Sequence, residues 1–435
     1  MADQKNMNMD FESNKIFTKQ KVKSFITSNI VTVIFLTVSI LGVFAAQLSP
    51  MFIVNELVNR ISRNSFLVLS LLIPVVAGMG LNFSIVVGAM AGQAALIIVT
   101  HFRIAGLPGL LLAFAIAAPI ALLLGFLTGR LLNKTKGQEM IASMITGFFA
   151  NGIYQLVFLF FVGTIIPIKD HDLILDGGTG LRNTVDLSGY NGMPGVKYAL
   201  DSILKLNLMG VLLAGSLIAI LFLVFRIIRN KENPLFDKAK ASFGLGGAIV
   251  TLVISIAVMI SGSMVNNVKV PLMTLVVVAA LCLFNVWIMK TKMGQDFRTV
   301  GQSNHIARVS GINVSRVRVR AITISTFLAA WGQIIFLQNI GTINTYGSHE
   351  QIGMFSVAAL LVGGASTSKA TIGQAILGVI LFHTLFIVSP MAGKNLFGDA
   401  QIGEYFRAFV VYGVIGISLG LHAWRRRISA KEDVK

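Results

Sequence analysis

The chain has 435 residues, of which 55% are hydrophobic and only 12% are charged, and its mean hydropathy is +0.78. A soluble globular domain carries about 25% charged residues, so this composition excludes that class and predicts an all-α, polytopic helical membrane protein. The formal net charge is +18, but the basic residues flank apolar segments, where they fix orientation and meet anionic lipid, so we expect the bilayer rather than nucleic acid as a partner.

In chain order, the pattern predicts a polar cytoplasmic tail at 1–24, a transmembrane domain at 25–423 and a second cytoplasmic tail at 424–435. A crossing needs about 20 mostly apolar residues. The candidate segments are 25–48, 65–82, 84–100, 107–129, 138–166, 208–228, 243–261, 270–289, 319–340, 353–363, 371–390 and 402–423. Since 353–363 is short and 65–82 runs into 84–100, the sequence fits 10 to 12 transmembrane segments with broken or re-entrant helices.

Most of the 36 basic residues fall in the two tails and in alternate loops, so we expect both termini to be cytoplasmic. The longest loop on the other side, 167–207, is rich in turn residues and is either a docking surface, a gate cover or a plain connector. The span at 243–261 has no role that the sequence identifies.

Motifs of enzyme chemistry are absent from the sequence. The pair Gly393-Lys394 lacks the earlier glycine of a phosphate-binding loop, and there is no HExxH or GxSxG. The chain is therefore predicted to be no enzyme, with no metal site and no cofactor of its own. A carrier driven by protons or sodium usually needs buried acids, and none is expected mid-span, which disfavours a stand-alone secondary transporter. A passive channel is the remaining alternative, since spanning segments alone do not exclude it.

Two polar, glycine-marked breaks interrupt the spans, at 78–84 (GMGLNFS) and 362–373 (VGGASTSKATIG). Such breaks indicate a translocation path, because free backbone groups at membrane depth are tolerated only against protein or water; two tight turns are the alternative. The candidate substrate path consists of residues in these breaks and amides within the spans: Asn82, Ser84, Gln93, Asn151, Gly363, Gly364 and Ser366. Three glycine pairs predict helix contacts: 88/92, 125/129 and 416/420.

The loop at 290–318 is strongly basic, with Asp296 as its single acid. Its ordering of glycines and small residues predicts a turn, a short helix with small residues on one face and a glycine stop. We expect this helix to dock into a groove on a soluble partner. The residues that carry the pattern are Gly294, Arg298, Gly301, Ala307, Arg308, Ser310 and Gly311.

At these residues the chain resembles the membrane permease subunits of ABC importers for simple sugars, nucleosides and branched-chain amino acids. TKMGQDFRTVGQSNHIARVSGINV follows the family pattern T-x-x-G-x-x-x-R-x-V-G-x-N-x-x-A-A-R-x-S-G-I-x-V, except at Ser303 and Ile306. GLNFSIVVG is similar to the G-x-D-L-S-V-G of the sugar members, with Asn82 in place of Asp, and Gly363 to Ser366 match their later G-G-[TA]-S.

The resemblance implies a multi-pass permease in the cell membrane of a prokaryote. The loop would be the coupling helix that inserts into a separate cytoplasmic ATPase, which holds ATP and Mg. A second permease, identical or different, would complete the pore, and an external solute-binding protein would deliver the substrate. We expect a simple sugar, with a nucleoside or a branched-chain amino acid as the alternatives.

Overall fold

The computed structural model describes residues 29–135, 137–168, 170, 172–189, 194–229 and 238–432, so the predicted tail at 1–24 lies outside the described residues. The helices are α1 (Ile30–Ala46), α2 (Pro50–Ser70), α3 (Leu72–Val76), α4 (Ile85–His101), α5 (Gly106–Lys134), α6 (Glu139–Leu156), α7 (Leu208–Arg229), α8 (Lys238–Ile260), α9 (Leu272–Lys290), α10 (Lys292–Gln302), α11 (Asn304–Val309), α12 (Val314–Ile340), α13 (Ser348–Val362), α14 (Ile372–Phe397) and α15 (Ala400–Glu432). The strands are β1 (Thr184–Asp186), β2 (Lys205–Asn207), β3 (Lys269–Pro271) and β4 (Thr342–Asn344).

The predicted all-α membrane fold is confirmed. Within the described residues, seven helices are long and apolar enough to cross a bilayer: α5, α6 together with the π-helix Val157–Phe161 that follows it, α7, α8, α9, α12 and α14. Each of the twelve predicted segments lies at least partly on a helix. The doubtful segment 353–363 is the second part of α13, which begins at Ser348 and has 15 residues.

The predicted span 65–82 is wrong at both ends. Helix α2 begins at Pro50, where Ser49 accepts a hydrogen bond from the Phe52 backbone N–H at 3.3 Å and proline occupies the first turn. Residues 77–84 are not helical. Hydropathy missed the first half of α2 because that half carries charged and amide side chains.

Helix α12 lies at the centre of the bundle, between α4 and α5. A Cβ atom at Gly88 of α4 would lie 2.3 Å from the Thr326 carbonyl oxygen, so glycine is what lets the two backbones come this close. The other predicted contact glycines that touch α12 in this way are Gly92, Gly125 and Gly129. The third predicted pair, Gly416 and Gly420 of α15, meets no atom among the described residues within 4 Å of an added Cβ.

The bundle has two different ends. The α10–α11 end carries the two short helices between α9 and α12. The loop end carries the cap, defined as the described residues between 162 and 207. Its strand β1 pairs antiparallel with β4, and its strand β2 pairs antiparallel with β3. Leu181, Val185 and Leu187 of the cap are buried, so the cap is a packed layer over the end of α12. Helices α7 and α8 pack mainly against each other at the edge of the bundle.

Candidate functional site

The basic loop folds into two short helices joined at Ser303. The Thr291 side chain caps α10 by accepting from the Gly294 N–H at 3.4 Å, and Ser303 caps α11 by accepting from the Ile306 N–H at 3.3 Å. The extended backbone of Ser303, with φ −156°, ends α10. Serine and asparagine are both strong N-caps, so serine at this position preserves the cap that the family's asparagine would supply.

The small residues of this segment face the bundle itself. A Cβ at Gly294 would lie 2.2 Å from the Ile288 carbonyl oxygen, and one at Gly301 would lie 2.1 Å from that of Val76. Ala307 is fully buried. The face that the sequence assigned to a partner's groove therefore holds α10 against α3 and α9, while α11 packs on α10 and α12.

The surface left open to a partner lies on α11 and its flanks. Two apolar side chains three residues apart, Ile306 and Val309, are 58% and 77% exposed. The adjoining Arg308, Ser310 and Gly311 are also exposed. Arg298 of α10 is exposed as well, and its guanidinium donates to the Met289 carbonyl of α9. An exposed apolar pair next to basic and polar groups has the composition of a small protein-binding surface.

The first break, residues 78–84, connects α10 to the core. Gly78 and Gly80 each have φ +71°, a conformation that glycine adopts without strain. A Cβ at Gly78 would lie 2.8 Å from the Gly301 Cα, so the break and α10 touch backbone to backbone. The Phe83 N–H donates to the Ser143 hydroxyl of α6 at 3.2 Å. The break thus contacts both α10 and α6.

Asn82 and Ser84 are buried, and their polar groups are paired. The Ser84 hydroxyl donates to Asn82 Oδ1, and Asn82 Nδ2 donates to the Ser325 hydroxyl of α12 at 3.5 Å. These two candidate path residues therefore lie in the contact between α4 and α12.

Gln93 occupies a second polar position along the same contact. Its Nε2 donates to the Tyr154 hydroxyl at 3.0 Å and to the Thr345 carbonyl at 2.6 Å, and its Oε1 accepts from Gln333 Nε2 at 3.4 Å. Gln333 follows the Asn82 partner Ser325 by eight residues on α12, a distance of about 12 Å along the helix. Asn82 and Gln93 thus lie on one helix contact but at separate depths.

Asn151 belongs to a neighbouring network at the loop end. Its Nδ2 donates to Glu350 Oε2 at 3.1 Å, and its Oδ1 lies 2.8 Å from His349 Nε2. The His349 ring packs on the Tyr154 ring at 4.6 Å between centroids. The Gln93 and Asn151 networks are therefore in contact, and Glu350 adds an acid within a helix that the sequence analysis did not count.

The second break forms a capped turn before α14. Gly364 has φ +88°, and its carbonyl accepts from Gln374 Nε2 at 2.8 Å. The Ser366 hydroxyl accepts from the Lys369 N–H at 3.0 Å. A Cβ at Gly363 would lie 1.9 Å from the Gln374 carbonyl oxygen, so this glycine packs the turn onto α14.

The two breaks and α10 meet at one small pocket of about 160 Å³ at the α10–α11 end. The pocket is lined by Gly78 and Gly80 of the first break, Thr367 and Ser368 of the second break, and Gly301 of α10. The breaks that the sequence assigned to a path through the membrane thus lie side by side next to the predicted coupling segment.

A largely buried ion pair belongs to the wall of this pocket, which Glu139 lines. Arg318 of α12 and Glu139 of α6 have side chains only 5% and 15% exposed. Glu139 also accepts from the Gly137 N–H at 2.9 Å, and Arg318 Nε lies 2.7 Å from Met79 Sδ in the first break. The sequence analysis placed Arg318 in the basic loop, whereas α12 begins at Val314 and buries it.

A polar chamber of about 570 Å³ opens at the loop end, between α2, the cap and the end of α12. Its polar wall includes Asn55, Asn59, Arg63, Tyr198, Lys205 and Lys269. The sequence analysis missed this site because it did not recognise the first half of α2. Asn55, Asn59 and Arg63 are spaced four residues apart, which puts them on one helical face and is the signal that could have found them.

A buried carboxylate forms the base of this chamber. Asp201 is 2% exposed and accepts from Gln338 Nε2 at 3.0 Å, from Asn339 Nδ2 at 2.6 Å and from the Thr274 hydroxyl. Arg63 Nη1 donates to Asn339 Oδ1 at 3.4 Å. The cap, α2, α9 and α12 are therefore tied together by one polar network.

Comparison with known proteins identifies a matching family. The model of the family described as branched-chain amino acid transport system, permease component, matches residues 186–418. A probable ABC transporter permease protein of Escherichia coli is 30% identical over 130 residues, 29% of this chain and 39% of the relative. The autoinducer 2 import system permease protein of Klebsiella pneumoniae is 38% identical over 96 residues, 22% of this chain and 27% of the relative.

The galactose/methyl galactoside import permease protein of Haemophilus influenzae is 33% identical over 122 residues, 27% of this chain and 36% of the relative. The chain thus spans less than half the length of each of these relatives. No solved structure matches the chain significantly.

Proposed function

The chain belongs to the family of branched-chain amino acid transport system permease components, and on that premise we propose that it is the membrane permease of an ABC importer for a small polar solute. A separate ATPase drives transport, a second permease completes the pathway, and an external binding protein delivers the solute. The chain lies in the cell membrane of a prokaryote with both termini in the cytoplasm, since most basic residues then stay inside.

The contact between Gly78 and Gly301 carries this proposal. An ATPase that binds the exposed Ile306 and Val309 would displace α10 together with α11, because the two helices are consecutive and pack on each other. Backbone atoms of the first break lie directly against Gly301, so that displacement reaches the start of α4. This is the physical link that an importer driven by a partner's ATP needs.

The loop-end chamber is the natural place for solute to enter. Its amides and basic groups can donate to hydroxyl oxygens, and its 570 Å³ exceeds the lower end of the range of small-ligand pockets, about 300 Å³. Two of the three named relatives are described as import permeases, one for galactose and methyl galactoside and one for autoinducer 2. A simple sugar is therefore the expected substrate class.

Reconstitution into proteoliposomes tests the function. The permease with its ATPase partner and binding protein should accumulate labelled solute only when ATP is supplied, and the permease alone should transport none. Galactose and ribose should compete for uptake, whereas uridine and leucine should not. ATP-independent uptake by the isolated chain would instead identify a secondary transporter or a channel.

The exposed apolar pair provides a test of coupling. Ile306→Ser with Val309→Ser should weaken co-purification of the ATPase, because each side chain loses apolar contact at the interface. Leu175→Ser in the cap is the matched control, since Leu175 is 43% exposed at the opposite end. Equal ATPase recovery from both variants would reject α11 as the binding surface.

A further inference from the structure

A basic groove of about 780 Å³ lies outside the features described so far, between α5 and α12 at the α10–α11 end. Its rim carries Arg130 of α5 and Arg316 and Arg320 of α12. Its floor is apolar and includes Phe126 of α5 and Met293 of α10. The groove therefore combines three positive charges with an apolar base.

The three arginines are available to a ligand. Each is exposed, and within the described part of the chain none of them forms an ion pair. The Arg130 guanidinium lies over the Phe126 ring, 4.5 Å from its centroid, which holds it at the rim. Arg316 and Arg320 are four residues apart and so share one face of α12.

The groove continues into a surface suited to acyl chains. In the two turns of α5 that precede Arg130, Leu123 is 61% exposed and Leu127 is 53% exposed. Helices α5 and α12 are both long and apolar enough to span the bilayer. Since the arginines lie near the ends of these spans, they fall at the depth of lipid headgroups.

We propose that this groove binds an anionic phospholipid, with the three guanidinium groups around its phosphate and its acyl chains along the leucines of α5. Basic pockets between spanning helices are suited to anionic headgroups, and guanidinium is the group that pairs with phosphate in a forked geometry. Met293 belongs to α10, so the bound lipid would also brace the segment that contacts the first break. The binding itself does not depend on the proposed transport function.

Native mass spectrometry of the purified full chain tests the proposal, with phosphatidylglycerol and phosphatidylcholine of equal chain length as probes. The wild type should retain phosphatidylglycerol preferentially, and added salt should weaken the binding. The variant with Arg130→Gln, Arg316→Gln and Arg320→Gln should lose about a hundredfold in apparent affinity, from about fivefold for each arginine. Arg308→Gln, an exposed arginine of the same end outside the groove, should keep the preference.

The single variant Arg316→Gln should lose about fivefold in affinity and keep the wild-type melting temperature, which guards against misfolding of the triple variant. Equal retention of the two lipids by the wild type would overturn the proposal, as would an unchanged preference in the triple variant. Displacement of phosphatidylglycerol by an equal concentration of inorganic phosphate would also overturn it, because it would show a free-anion site without acyl-chain contact.

Discussion

The candidate sites at the two ends of the bundle are held by different kinds of contact. At the α10–α11 end, glycines bring backbones into contact, as between Gly78 and Gly301, and one ion pair is buried. At the loop end, side-chain hydrogen bonds converge on Asp201, and a polar chamber opens beside them. Backbone contacts leave no room for adjustment, whereas side-chain networks can exchange partners with water or a solute.

This difference suggests that the two ends have separate roles in transport. An end that must transmit displacement benefits from contacts that cannot yield. An end that must receive a solute benefits from side chains that can exchange their hydrogen-bond partners. Four substitutions test this division, each against a matched control or a compensating change.

The largest effect should come from Arg318→Met at the α10–α11 end. Removing one member of a buried ion pair costs about 3–5 kcal/mol, because Glu139 would lose its counter-charge and keep only the hydrogen bond from the Gly137 N–H. Adding Glu139→Gln should recover most of this loss. Denaturant unfolding of the purified single and double variants in micelles measures both. A loss below about 1 kcal/mol, typical of exposed pairs, would show that the pair is solvated.

Asp201→Ala should have the next largest effect. It leaves three donors, on Thr274, Gln338 and Asn339, without their acceptor, at an expected cost of about 2–3 kcal/mol. ATPase co-purification should be unchanged, because the chamber lies at the other end. Asp176→Ala is the control, since that side chain is 96% exposed and should change stability by about 0.5 kcal/mol or less. Loss of ATPase binding in Asp201→Ala would break the proposed division.

Gly301→Ala should destabilise the fold by about 1–3 kcal/mol, because the new methyl group would lie 2.1 Å from the Val76 carbonyl oxygen. ATP-driven uptake should fall further than protein yield, since α10 can no longer rest on the first break. Gly373→Ala, with no atom within 4 Å of the new methyl group, should be neutral or stabilising in the first turn of α14. Equal uptake by both variants would mean that the contact transmits nothing.

The smallest effects should be at Ser303. Ser303→Ala removes the cap of α11 and should cost about 1 kcal/mol, whereas Ser303→Asn should change stability by only a few tenths. Thermal unfolding of both variants measures the difference. If the asparagine variant were as unstable as the alanine variant, the Ser303 hydroxyl would have a role beyond capping.

The sequence predicted the helices well, because apolar runs of about 20 residues depend on local composition alone. It failed at α2, where Glu56 and Arg63 lower the hydropathy of a helix whose polar face lines a chamber. It also located the α10–α11 segment but assigned its small face to a partner. Which face of a helix is buried depends on what packs there, and spacing alone does not contain that information.

The loop-end network was invisible for a different reason. Asp201 and Asn339 are 138 positions apart, and their hydrogen bond forms only because the cap folds over the end of α12. No spacing pattern in the sequence around either residue indicates that the two are in contact. The glycine pairs of α4 and α5 were predicted correctly as helix contacts, because their four-residue spacing is local. The sequence did not predict that α12 is the helix they contact.

The positions of the packing contacts on α12 determine how this helix can move. Its 27 residues make a rod about 40 Å long with no proline inside. Gly88 of α4 and Gly125 of α5 both contact Thr326, which lies close to the midpoint of α12. The glycine contacts of α4 and α5 reach from Val319 to Ala330, about 17 Å of its length, so α12 moves together with both helices. A displacement near Arg318 would thus be carried about 32 Å along one straight helix to Asn339 at the loop end.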